Sequence, residues 1–317
     1  MQTALTCGTD LKVFRRGFHA RMINPPALFG HELAGDIVEI GAEVTKFKPG
    51  QRVVAANSAP CGVCFYCRQD RQNLCDDLLF NNGAYAQYIR VPGRIVERNV
   101  HEIPKGISYK EAAMVEPLAC VLHGIEDAGV RPGDSVAVIG LGPIGLMFVR
   151  LAKLAGAHPI AVGRRATQLE RADRMGADTL VTAKAGSVNS SIEVVRAATE
   201  GRRGADVVIE AVGQPEAWQI ATQMVRPGGT VNFFGGCPQN TNLCLDTSLL
   251  HYSELTLKAS FHHTPRHIRQ GLDVIASGKV NVGDLVIDEA PLKNLLSVFR
   301  HMMSQNGNLK TAILPHE

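Results

Sequence analysis

Four cysteines carry the most specific chemistry in the chain. Cys61, Cys64, Cys67 and Cys75 fall within fifteen residues, separated by two, two and seven positions. Tetrahedral zinc takes four soft ligands, and two-residue spacers let successive thiolates face one point. Half of the eight cysteines are gathered here in a chain of 317 residues, whereas a disulfide scaffold is short and spreads its cysteines throughout. The cluster therefore reads as a closed structural zinc site. Buried free thiols or a redox pair are the plainer alternatives. An iron–sulfur cluster ranks lower, because the spacing departs from the ferredoxin patterns.

A second motif, Gly140-x-Gly142-x-x-Gly145, contains Pro143 and Ile144. A lone glycine triplet of this kind is weak. Here it follows an apolar strand, residues 135–139, and opens a helical pattern, which is the setting a dinucleotide pyrophosphate needs. The first glycine permits the turn, the second lets backbone approach phosphate, and the third lets helix and strand pack closely. A glycine-rich structural turn is the bland alternative. About twenty residues on, a carboxylate would bind the ribose of NAD. This chain has Gly163-Arg164-Arg165 there. Glycine opens space and a guanidinium pairs with a 2′-phosphate, so the reading favours NADP over NAD. Solvated arginines at a helix start are the competing account.

The remaining chemistry-bearing residues are scattered: Cys7, Thr9 and Asp10, then His31 and Glu32 after Gly30, then Glu116 before Pro117-Leu118. Singly, each has a bland reading. A lone cysteine is a small core residue, a lone histidine is most often structural, and the two glutamates could be surface acids.

These residues need two kinds of framework. Up to about Gly106 the chain shows short strand patterns and turns, at residues 35–40, 51–54, 86–91 and 93–96, as in an antiparallel barrel-like domain. From about Tyr109 apolar strands alternate with helical periodicity: strands at 135–139, 160–162, 207–209, 230–234 and 255–260, helices at 145–154 and 166–175. That alternation predicts a doubly wound parallel sheet. An amphipathic helix is expected over 268–276.

Composition sets the outer bounds. Apolar residues make up 45% and charged residues 20%, with a formal net charge of +3, which excludes a disordered chain and a basic nucleic-acid surface. The longest apolar stretch, 136–149, is broken by three glycines and a proline, and no targeting segment precedes it. No membrane partner and a cytoplasmic location are expected.

Taken together, Cys7-Gly8-Thr9-Asp10, Gly30-His31-Glu32, the four-cysteine loop, Glu116-Pro117-Leu118 and the glycine triplet resemble, in order and approximate spacing over the whole chain, the zinc-dependent medium-chain dehydrogenase/reductase family of alcohol dehydrogenases. The glutamate at 116 is similar to the polyol and threonine dehydrogenase branch. The resemblance implies a GroES-like antiparallel β-barrel catalytic domain over 1–119, an α/β Rossmann domain over 120–260, and a return to the catalytic domain over 261–317. It implies two zinc ions per chain. Cys7, His31, Glu32 and Glu116 would hold the catalytic one, Thr9 would relay the proton, Asp10 would orient His31, and Lys12 stands where some relatives have a relay histidine. The reaction implied is hydride transfer between a secondary alcohol (polyol, sugar alcohol or hydroxy-amino acid) and NAD(P), in a homodimer or homotetramer. His19, Asn57, His262 and His263 are candidates for a polar substrate wall. Relatives carry a strand hairpin ahead of the residue matching Cys7, so the N-terminal hairpin is expected to be missing and a sheet edge left open. The alternatives are a non-catalytic dinucleotide sensor, an inactive truncated dehydrogenase, or a zinc-free quinone reductase, the last disfavoured by the ligand set.

Overall fold

A computed structural model describes residues 1–17, 22–23, 26–183, 188–304 and 309–317; His19 lies outside these. The chain divides into two compact units, Met1–Cys120 with His262–Glu317, and Val121–Phe261.

The first unit is built on a six-stranded sheet. Its order is Val286–Pro291, Lys310–Leu314, Thr3–Leu5, Glu32–Asp36, Arg52–Ala55 and Val100–Glu102. All neighbours are antiparallel except the first pair, which is parallel. Ala4, Leu33, Ala55, Val100 and Ile313 project into one buried cluster, joined by Ile95; each large aliphatic side chain so buried contributes on the order of 1.5–3 kcal/mol.

Two strand expectations fail in this unit. Residues 93–96 belong to a helix, Gly93–Asn99. Pro92, the N-cap at φ −60°, leads into the helix, and Ile95 and Asn99 are buried while Glu97 between them is exposed, a helical pattern that a strand face would not give. Residues 86–91 run as bends and unpaired chain. Ile89 and Val91 pack against the core without a ladder partner, and Tyr88 is exposed.

The second unit is a parallel six-stranded sheet. From edge to edge the strands are Thr256–Lys258, Val225–Phe233, Ala205–Glu210, Ser135–Ile139, His158–Gly163 and Thr179–Thr182. Chain order reverses at Ser135–Ile139, giving the doubly wound topology whose ligands bind beyond the carboxyl ends of the strands at the reversal. Val162, Val208, Val231 and Ile160 fill its core. The helix expected over 145–154 begins two residues earlier, as Pro143–Leu154, with proline at its first position. Among the described residues no helix is long and apolar enough to cross a membrane.

Candidate active site

The four-cysteine loop closes on itself. Sγ of Cys61 lies 4.0 Å from that of Cys67, and Sγ of Cys64 lies 3.8 Å from that of Cys75. Four sulfurs at about 2.3 Å from one tetrahedral zinc sit about 3.8 Å apart, so the cluster has the size of a loaded site. Backbone amides are aimed at the sulfurs: Val63 and Cys64 donate to Cys61, Gly62 to Cys67, and Cys61 to Cys75. Two of these amides, from Val63 and Cys64, pull the Cys61 thiol down to about 6. Burial pushes Cys67 up to about 12, a thiol that sheds its proton only when a cation takes the sulfur.

The scattered residues also converge. Cys7, His31 and Glu32 each place one donor atom within 4.8 Å of the others. Local structure explains how. Cys7 is the N-cap of helix Gly8–Arg16 and accepts the amide of Thr9 at 3.4 Å, so its sulfur faces the positive end of the helix. His31 and Glu32 enter the strand Glu32–Asp36 after Gly30, whose φ of 84° suits glycine. A Cβ on Gly30 would also lie 2.7 Å from the Tyr85 ring.

That ring matters to the site. Tyr85 donates its hydroxyl to Oδ2 of Asp10 at 2.7 Å, and Oδ1 of Asp10 lies 3.0 Å from Nδ1 of His31. Asp10 thereby holds His31 by one nitrogen and leaves Nε2 to face a metal, the usual arrangement around a zinc-bound histidine. Burial disfavours the His31 charge, yet Asp10 and Cys7 raise its pKa well above the ordinary value. Glu32 is held in turn by Lys310, whose Nζ lies 2.6 Å from both carboxylate oxygens. Burial works against the Lys310 charge, and Glu32 more than restores it.

Glu116 sits in the first turn of the helix Val115–Ala128, buried, with Cys120 one turn on donating to Oε1 at 3.8 Å. Burial pushes its carboxyl up to about 7, with His31 opposing and Glu32 assisting. Such a group favours a cation beside it. Its near neighbours also include His262 and His263. Tyr85 and Lys310 escaped the sequence reading. The readable signal for Lys310 was a lysine in an otherwise inward-facing apolar strand, Lys310–Leu314.

In the second unit the glycine triplet forms a cradle. Gly140 has φ 94°, and a Cβ on Gly145 would lie 1.8 Å from the Gly140 carbonyl oxygen. At Gly142, the N-cap of helix Pro143–Leu154, an added Cβ would meet nothing within 4 Å. Open backbone at a helix N-terminus fits a pyrophosphate. Gly163 has a packing reason beyond opening space, since its Cβ would lie 2.6 Å from Leu141. Arg164 is exposed, while burial and then the charge of Arg164 lower Arg165, so two guanidiniums crowd the end of that strand.

Comparison with known proteins agrees with this chemistry. Residues 143–277 match the zinc-binding dehydrogenase family, and residues 1–105 the alcohol dehydrogenase GroES-like domain. The chain is 32% identical to sorbitol dehydrogenase of Bacillus subtilis over 98% of its length and 87% of that protein's. It is 30% identical to D-xylulose reductase A of Aspergillus oryzae, over 97% of this chain and 86% of the other. Among solved structures it is similar to a protein of Sinorhizobium meliloti 1021 assigned as a zinc-binding dehydrogenase and bound to NADP. That match has a TM-score of 0.87 and 32% identity, covering 99% of this chain and 90% of that one.

Proposed function

The chain belongs to the zinc-binding alcohol dehydrogenase family, and we propose that within it this protein interconverts a polyol or sugar alcohol and its ketone with NADP as preferred cofactor. The observation that carries the reading is the Cys7–His31–Glu32 group, its histidine and glutamate buried, with Glu116 beside it. A zinc ion there would supply a Lewis acid that lowers the pKa of the substrate alcohol, and the dinucleotide would accept hydride.

The chain's own residues do the rest. Cys7, His31, Glu32 and Glu116 hold the metal. Asp10 and Tyr85 fix the His31 ring, and Lys310 sets where the Glu32 carboxylate lies. Thr9, in the first turn beside Cys7, passes the alcohol proton outward. Gly140, Gly142, Pro143, Ile144 and Gly145 bind pyrophosphate through backbone, and Arg164 and Arg165 bind the 2′-phosphate over the strand end at Gly163. Cys61, Cys64, Cys67 and Cys75 hold the structural zinc.

A hydroxyl-rich substrate is supported by Asn57. Its side chain is buried, and neither its nitrogen nor its oxygen is hydrogen-bonded, a deficit of about 1–3 kcal/mol per group that paired hydroxyls would relieve. Asn57 adjoins Ser58, whose hydroxyl bonds His262. The strand Thr256–Lys258 is an edge of the parallel sheet and supports a homodimer or a tetramer built from dimers. Thiolate ligands fit a cytoplasmic location.

Elemental analysis of the purified protein with and without Cys7→Ser tests the reading. Two or more zincs per chain falling by one, with turnover of polyols lost, is the expected result; an unchanged count would refute a catalytic metal at Cys7. Arg164→Ala should shift preference from NADP toward NAD, and an unchanged ratio would remove the arginine from that role.

A further inference from the structure

We propose that Glu116, His262 and His263 form a second divalent-cation site, separate from the Cys7–His31–Glu32 group and suited to zinc-class ions. One donor atom from each lies within 4.8 Å of the other two, and all three residues are buried. Two histidines and a glutamate are a zinc donor set in their own right. Nε2 of His263 is 3.7 Å from Oε1 of Glu116. Two ligands about 2.0–2.1 Å from a tetrahedral ion sit about 3.4 Å apart, so that pair needs to close by only about 0.3 Å.

The backbone gives the second, independent observation. Along extended chain, consecutive side chains point to opposite faces. His262 instead has φ 63°, in the left-handed region that non-glycine residues seldom enter. The rings of His262 and His263 lie side by side as a result, with centroids 4.0 Å apart and planes at 34°. A conformation of this kind is held where it serves a site. His262 is also oriented from outside the group: its Nε2 lies 2.6 Å from Oγ of Ser58, the kind of outer contact that fixes a metal-binding imidazole. The site rests on the proposed function only through Glu116, the carboxylate that the two positions share.

Equilibrium dialysis of the zinc-loaded protein against Co²⁺, with metal counted per chain and absorption recorded, tests the site. His262→Asn keeps the left-handed turn, which asparagine tolerates, and removes the imidazole; His263→Gln removes the other. Wild type should hold one more divalent ion than the double variant. Cobalt in that extra place should show ligand-field absorption without a thiolate charge-transfer band, since no sulfur belongs to the triad. Equal metal counts in the folded wild type and double variant would overturn the site. Should the double variant fail to fold, His263→Gln alone decides, and a cobalt spectrum and count identical to wild type would overturn it equally. Cys7→Ser separates the two readings: it should lose one ion and keep the sulfur-free one, whereas loss of both would overturn a separate site. An unchanged count in Cys7→Ser, with the extra ion lost in His263→Gln, would sink the catalytic-zinc reading and leave this one standing.

Discussion

Lys310 reaches both oxygens of Glu32 and the carbonyl of Thr6 from a buried position. Two charges withdrawn from water are tolerable only together, and removing one partner of such a pair costs about 3–5 kcal/mol. Lys310→Met should therefore lower the unfolding free energy by about 3 kcal/mol in urea titration, and pairing it with Glu32→Gln should recover part of the loss. A single-variant loss under about 1 kcal/mol would mean that the pair is dispensable. The folded lysine has a raised pKa, so its own contribution is fully present below the unfolded value of about 10.4 and is lost as pH climbs past the folded one, while burial raises the Glu32 carboxyl and adds a separate dependence on the acid side. Gly30 offers a second test. Gly30→Ala would drive a methyl into the Tyr85 ring and disturb the hydroxyl that holds Asp10. Zinc affinity at the Cys7 group should fall about 10–100-fold in competition with a chelator, the range for losing an outer partner of a ligand histidine.

Asp206 ties three strands of the parallel sheet together. Its carboxylate accepts the amide and hydroxyl of Ser135, each at 2.7 Å, and pairs with Nε of Arg226 at 2.6 Å. Burial opposes the charge, but the Ser135 and Arg226 bonds win and depress its pKa. Stability from this knot is present above the ordinary carboxylate value of about 3.9 and is lost as pH falls through the lower folded one. Asp206→Asn should cost about 1 kcal/mol after allowance for its partial exposure, and should flatten the acid limb of stability below about pH 4; an unaltered acid limb would discount the knot. The four central strands of this sheet were legible because buried parallel strands read as near-continuous apolar runs, and the edge strand Thr256–Lys258 because Leu255 and Leu257 alternate with polar neighbours. Thr179–Thr182 was not, since as an edge strand it mixes Thr179 and Thr182 with Leu180 and Val181. The helix Gly93–Asn99 was hidden for a related reason: its buried face includes Asn99, which bonds the Ser58 carbonyl, and polar burial leaves no apolar period. The site was legible where ligands cluster, as in the four cysteines. It was illegible where partners lie far apart, as with Glu32 and Lys310, 278 positions from each other.

At the scale of the molecule, the residues proposed to hold zinc and those proposed to hold the dinucleotide fall in different compact units. Chelation should therefore raise amide hydrogen exchange first within residues 1–120 and 262–317, while NADP should slow exchange first within 121–261, because ligand binding stabilises the unit that holds it. Uniform changes across both would show that the units unfold as one. The first unit is also assembled from both ends of the chain: strand Thr3–Leu5 lies between Glu32–Asp36 and Lys310–Leu314. On a ribosome adding roughly 5–20 residues per second, Lys310 emerges some 15–55 s after Glu32, given their separation of 278 residues. Through that interval the nascent chain carries an uncompensated Glu32 and an unpaired edge on Thr3–Leu5, while the parallel sheet between them completes.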